Sequence, residues 1–244
     1  MKIAIIGKGN VGTHLQKAFS GNNIKADLID SRSFDGLGRN YSVIFLCVPD
    51  NSIKPTASRL KDKIQDFEGI VVHTGGSVDM QLLNEYFKNY GVFYPLQTFS
   101  KSITISNYSE IPVFIEANGH INENFLKTLA SSTFGYVMPL TSEKRKKLHL
   151  AAVFVCNFVN ACYAMGEDLL RGTEIPFDVL RPLISQTAEK ALFHLPDECQ
   201  TGPAKRGDDE IMKSHASMLS VNPEMLNIYT EFSSYIYNKF NERH

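Results

Sequence analysis

The chain opens on Lys2-Ile-Ala-Ile-Ile6, and this apolar run passes directly into Gly7-Lys-Gly9-Asn-Val-Gly12 and then a helical pattern from Thr13. Few local arrangements restrict a fold as strongly. A strand that is apolar throughout must be covered on both faces, which is the habit of parallel sheets flanked by helices. A glycine-punctuated turn between such a strand and a helix opens a βαβ unit that binds a dinucleotide. Gly7 then permits the tight turn, Gly9 leaves room for a pyrophosphate, and Gly12 lets strand and helix pack closely. The helix start offers free N–H groups and the positive end of the helix dipole to the phosphates, and Asn10 and Val11, between the glycines, are expected to join Gly7, Gly9 and Gly12 in holding the cofactor.

Up to about residue 140, short apolar runs at 2–6, 25–30, 43–48, 69–73, 91–94 and 113–116 alternate with helical patterns, which predicts a parallel sheet with helices on both faces. Pro55 fits a first helical position, and Asn122 fits the cap of a helix running to about Ser132. After Pro139 the period changes. Thr141 or Ser142 can cap a helix, Glu143 suits its positive end, and apolar periodicity continues to Gly172, a natural stop. Further helices are expected over 177–194, 208–219 and 223–240, the last capped by Asn222. The expected architecture is therefore α/β, a Rossmann parallel-sheet domain over 1–140, followed by an all-α domain over 141–244.

The second strand ends in Asp30-Ser31-Arg32-Ser33, where the adenosine ribose would lie. A carboxylate there suits the 2′-hydroxyl of NAD, whereas an Arg between two hydroxyls suits the 2′-phosphate of NADP. Ser31, Arg32 and Ser33 favour NADP, with NAD as the alternative. Val48-Pro49 and His73-Thr74 also fall at strand ends, where open α/β sheets place their ligands, and are expected to line the dinucleotide cleft.

On the long helix, His149, Asn157 and Asn160 interrupt an apolar sequence and share an arc of roughly 80° on ideal helical geometry. Buried polar groups need partners, so the stripe points either to a network between helices or to a ligand. The segment from Gln200 to Asp208 is rich in turn residues, and Thr201 and Arg206 can face an anionic substrate group. His149 is the candidate proton donor. The expected substrate site is the cleft between the two domains.

A net charge of -1 and 21% charged residues leave no single-sign surface, so nucleic acid is not an expected partner. No run reaches the roughly 20 apolar residues that span a bilayer, and the first strand starts at Lys2, so no membrane association and a cytoplasmic location are expected. Cys47, Cys156, Cys162 and Cys199 form no CxxC pair and have no His at metal-ligand spacing, so reduced thiols and no metal are expected. The apolar face of the long helix exceeds what three shorter helices cover, and a homodimer through the helical domain is expected.

The motifs just named, together with Pro95-Leu96-Gln97-Thr98-Phe99 and the run His149 to Asn157, resemble a bacterial family of Rossmann-like proteins assigned to the NADP oxidoreductases. That family has a helical C-terminal domain of unknown function similar to that of 6-phosphogluconate dehydrogenase. The resemblance extends to ketopantoate and pyrroline-5-carboxylate reductases. It implies hydride transfer between NADP and a small carbonyl or imine. Hydroxyacid dehydrogenases of the wider group place a catalytic Lys four residues before an Asn, where this chain has Val153 before Asn157, and the His that usually precedes Pro-Leu-Gln is here Tyr94. The missing lysine keeps open a non-catalytic dinucleotide sensor, and the first-domain pattern also fits a deazaflavin-dependent NADP reductase.

Overall fold

The computed structural model describes residues 1–241, so residues 242–244 of the expected helical domain lie outside the described residues. The chain forms two compact units, Met1–Phe158 and the residues from Val159 onward. The first is built on a sheet of order β2-β1-β3-β4-β5-β6-β7, with β1 Lys2–Ile6, β2 Lys25–Ile29, β3 Val43–Leu46, β4 Ile70–His73, β5 Tyr90–Pro95, β6 Pro112–Ala117 and β7 Tyr136–Pro139. Strands β1 to β5 are parallel, as their continuous apolar runs require. From β1 the chain turns first to β2 on one side and then to β3 on the other, which creates a switch point at the carboxyl ends of β1 and β3.

The far edge departs from the expected all-parallel sheet. β6 runs antiparallel to β5, pairing Phe93 with Ile115, because the segment between them contains only a 3₁₀ turn at Tyr108–Glu110 and no helix to make a parallel crossover. β7, a partly exposed four-residue strand parallel to β6, had no periodic signature. Helices α1 (Asn10–Gly21), α2 (Asp50–Lys63) and α3 (His120–Ser131) cover the sheet. One face buries Leu15, Phe19, Phe45, Phe93, Leu126 and Phe134, the other Ile6, Ile44, Leu46, Ile53 and Leu60. Pro55 lies inside α2 rather than at its start, and Asn122 lies inside α3, where its amide donates to the Asn118 carbonyl at 3.1 Å instead of capping.

The long helix begins where its cap was expected, since the Thr141 hydroxyl accepts from the Lys144 N–H at 3.4 Å. It comprises α4 (Ser142–Ala152), a π-helical segment (Val153–Phe158) and α5 (Val159–Leu170), and the chain turns at Gly172 with φ 81°. The units part at Phe158, eighteen residues beyond the period change at 140, because the buried ion pair of Arg145 with Glu116 anchors α4 to the sheet. The second unit is helical throughout its regular structure: α5, then α6 (Arg181–Phe193), α7 (Pro196–Cys199), α8 (Pro203–Arg206), α9 (Asp209–Leu219) and α10 (Pro223–Asn241). Asn222 caps α10 by accepting from the Met225 N–H at 3.1 Å. Among the described residues one helix, Ser142–Leu170, is long and apolar enough to cross a membrane by length and composition, and none of its apolar window is buried. That corrects the expectation that no segment reaches this length: His149, Asn157 and Asn160 break the apolar run without lowering its average enough to fail.

Candidate functional site

The glycine loop sits at the switch point. Gly7 adopts φ +113°, and a Cβ there would overlap the Cys47 carbonyl, so tight packing of β1's end against β3's end demands glycine. A Cβ on Gly12 would overlap the Gly7 carbonyl. Gly9 is different: its φ is ordinary, and nothing lies within 4 Å of where its Cβ would be. The protein's own packing therefore gives no reason for glycine at position 9, whereas a pyrophosphate drawn to the N–H groups of α1 would need that space. This open cradle is what a bound dinucleotide fits. Asn10 accepts from the Lys101 N–H at 3.3 Å, and Val11 packs against the core beneath.

At the end of β2, Asp30 Oδ1 accepts from the Arg32 N–H at 2.8 Å. This bond, chiefly, holds the carboxyl below its ordinary pKa, with Lys8 and Arg32 adding positive charge nearby. The carboxylate that would otherwise repel a 2′-phosphate is thus occupied by its own turn and flanked by cations. Arg59 reaches across from α2, donating to the Ser31 carbonyl at 3.2 Å and to the Arg32 carbonyl, with its guanidinium 4.9 Å from the Phe34 ring centroid. Sequence reasoning missed Arg59, because it comes from another element and nothing local to α2 marks it. Ser31 is half-buried, and Arg32 and Ser33 are exposed.

Val48 is half-buried and Pro49 is the residue before α2, both beyond β3. Thr74 packs over the same strand, its N–H donating to the Leu46 carbonyl at 3.3 Å. His73 is a correction to the expected contact surface: its side chain is fully buried, and Nδ1 accepts from the Gly75 N–H at 3.1 Å. Burial, assisted by the nearby Arg145 charge, lowers its pKa to about 3. The ring is neutral, its Nε2 has no protein hydrogen-bond partner, and it shapes the loop from beneath.

That loop carries the link to the long helix. A Cβ on Gly76 would lie 2.5 Å from His149 Nδ1 and 2.6 Å from its Cγ, so the imidazole rests directly on the glycine backbone. Tyr94 Oη is 2.9 Å from the same Nδ1, with the rings edge to face. Tyr94 and His149 line a cavity of about 490 Å³ together with Leu96, Leu148, Val153 and Asn157. The π segment changes the geometry of the expected stripe. Asn157 lies within that segment and lines the same cavity as His149. Asn160, Thr201 and Arg206 belong to the second unit, where all three are exposed and Arg206 pairs with Asp208 at 3.8 Å.

Sequence reasoning also missed the clamp that holds α4 in place. Arg145, 1% exposed, donates to Glu116 Oε2 at 2.6 Å, to Ser142 Oγ at 3.0 Å and to the Val78 carbonyl. Ser142 Oγ in turn donates to Glu116 Oε2 at 2.6 Å and accepts from the Met80 N–H at 3.0 Å. Arg145 lies one turn before His149, so the clamp fixes the face that carries the imidazole. A charge inside Ser-Glu-Lys-Arg-Lys-Lys reads as solvated helix surface, and no sequence signal separates Arg145 from its neighbours.

A family profile described as a domain of unknown function, DUF2520, matches residues 111–236. No curated protein matches the chain. Among solved structures, a putative NADP oxidoreductase from Bacteroides fragilis is 34% identical, with a TM-score of 0.88 over 97% of this chain and 98% of that one. A Thermotoga maritima protein is 19% identical, with a TM-score of 0.70 over 95% and 99% of the two chains. A pyrroline carboxylate reductase from Plasmodium falciparum with NADP bound is 11% identical, with a TM-score of 0.59 over 97% and 100%, a likeness of fold.

Proposed function

We propose that this chain, which belongs to the DUF2520 family, is an NADP-dependent oxidoreductase that transfers a hydride between the nicotinamide and a small carbonyl or imine substrate. The observation that carries the proposal is the seating of His149 against Gly76, which joins a titratable helix residue to a strand-end loop of the dinucleotide-binding sheet. When bound, the cofactor supplies the hydride chemistry; the chain supplies position, a proton and exclusion of water. Gly7, Gly9, Asn10, Val11 and Gly12 hold the pyrophosphate, Val48, Pro49 and Thr74 border the cofactor, and His149 and Asn157 meet the substrate. Asn160, Thr201 and Arg206 carry no role in this proposal. The NADP oxidoreductase description of the Bacteroides fragilis relative supports the same class.

NADP is preferred over NAD in this reading. The engagement of Asp30 by its own turn supports it, as does Arg59, which holds the Ser31-Arg32 backbone in register for a 2′-phosphate. Calorimetric titration with NADPH and NADH tests the preference. NADPH is expected to bind more tightly, with Arg32→Ala removing most of the difference; equal affinities, or an NADH preference untouched by Arg32→Ala, refute it.

The same reading has a second copy of the chain covering the long helix in a cytoplasmic homodimer. Phe154 and Val155 are 55% and 75% exposed, a degree of apolar exposure that a lone soluble chain does not sustain along a whole face. Light scattering is expected to give twice the chain mass without detergent. A monomer, or solubility only in detergent, overturns it.

A further inference from the structure

We propose that Tyr94 and His149 form a proton-delivery pair for a neutral, apolar-flanked imine or carbonyl, in which His149 Nε2 gives up the proton and Tyr94 holds the opposite nitrogen. The proposal rests on the oxidoreductase reading and adds to it a positioning residue and a substrate class. Its first support is the engagement of Nδ1: Tyr94 Oη lies 2.9 Å from it, and the Gly76 backbone closes off the same edge of the ring. Among the described residues no hydrogen bond engages Nε2, so that nitrogen is the one left for a ligand. Its second support is the cavity, whose lining among the described residues contains no Asp, Glu, Lys or Arg. The one cation this lining can offer is the His149 imidazolium, whose charge the reaction removes, so a carboxylate or phosphate seated beside Leu96, Leu148 and Val153 would be left desolvated and unpaired once the proton is transferred, a penalty of several kcal/mol. A neutral C=N or C=O flanked by hydrocarbon meets no such cost.

The proton inventory is simple. The carbon of the double bond takes the hydride that reduced nicotinamide supplies, and the π pair moves onto the nitrogen or oxygen. That atom takes the proton from Nε2 of the His149 imidazolium. The Nε2–H bond breaks, the imidazole is left neutral with its remaining proton on Nδ1, and solvent restores the charge. The substrate is reduced by two electrons and the nicotinamide oxidised by two. Throughout, Nδ1–H donates to Tyr94 Oη, which decides which nitrogen releases its proton. Burial raises the Tyr94 hydroxyl above its ordinary pKa, so it acts as a hydrogen-bond partner and not as a base. Other charged or titratable groups about the pair are Arg145 one turn earlier on α4, Asp50 at the start of α2 against Gly75, the neutral His73 beneath the loop, and the Cys156 thiol in the cavity lining.

A bond donated by an imidazolium is stronger than one to neutral imidazole, so removing Tyr94 Oη penalises the charged form more. Tyr94→Phe therefore removes a bond that favours the proton-donating form of the ring. NADPH affinity by calorimetry should be unchanged. With 2-methyl-1-pyrroline as probe, kcat of Tyr94→Phe should fall about tenfold with KM nearly constant. Gly76→Ala, which displaces the imidazole without touching Tyr94, should lower kcat as well. The wild-type protein should reduce 2-methyl-1-pyrroline with higher kcat/KM than the same ring bearing a 2-carboxylate. An unchanged kcat in Tyr94→Phe, a preference for the carboxylated ring, or NADPH binding with no turnover of the neutral imine overturns the proposal. Failure of the wild-type protein to bind NADPH overturns instead the oxidoreductase reading on which it stands.

Discussion

Replacing His73 with Asn should make the first unit less sensitive to acid. In the folded chain burial holds the imidazole neutral down to about pH 3, whereas in the unfolded chain the same ring takes up a proton at its ordinary value near 6.5. A folded pKa below the unfolded one means that the unfolded state binds more protons between those two values. Stability from this residue is therefore present above pH ~6.5 and is lost as pH falls toward about 3. Linkage over that window gives a loss of about 2 kcal/mol between pH 7 and pH 5 from this one ring. Asn keeps an acceptor for the Gly75 N–H but takes up no proton. Urea unfolding followed by circular dichroism, on both proteins at pH 7 and pH 5, isolates the difference. The wild-type protein should lose about 2 kcal/mol more than the variant. Equal losses, or an NMR titration showing His73 protonating near pH 6, would refute the burial argument and return the residue to the expected lining of the dinucleotide cleft.

Gly9→Val should abolish dinucleotide binding by calorimetry while leaving the circular dichroism spectrum and melting temperature intact, because the space it fills is empty of protein; retained binding would mean that the loop is only a turn. Gly12→Ala should instead unfold or strongly destabilise the chain, since its Cβ meets the Gly7 carbonyl. Arg145→Met should cost roughly 3–5 kcal/mol in urea unfolding, as it leaves the Glu116 carboxylate half-buried without its cation. A cost within experimental error would show that the clamp does not anchor α4.

Most of the first unit was legible in the sequence because its signals are local. A continuous apolar run needs cover on both faces wherever it sits, and the glycines at 7, 9 and 12 report backbone conformation and free space within a dozen residues of each other. The caps at Thr141 and Asn222 and the stop at Gly172 were legible for the same reason. The direction of β6 was not, because it depends on what the 95–112 connection fails to provide. Nor was the fate of His73: the same residue at a strand end can face a ligand or the core, and only the packing around it decides which. Tyr94 and His149 stand 55 residues apart, Glu116 and Arg145 29. Each pair meets only because the sheet sets Tyr94 on β5 and Glu116 on its antiparallel neighbour β6, and the helix after β7 is pinned across those strands. The π segment has no local signature either, yet Asn157 within it shares a cavity with His149. Chemistry that needs two groups within hydrogen-bond reach is decided by that closure, since sequence order carries no distance between residues that the fold, and not the chain, makes neighbours.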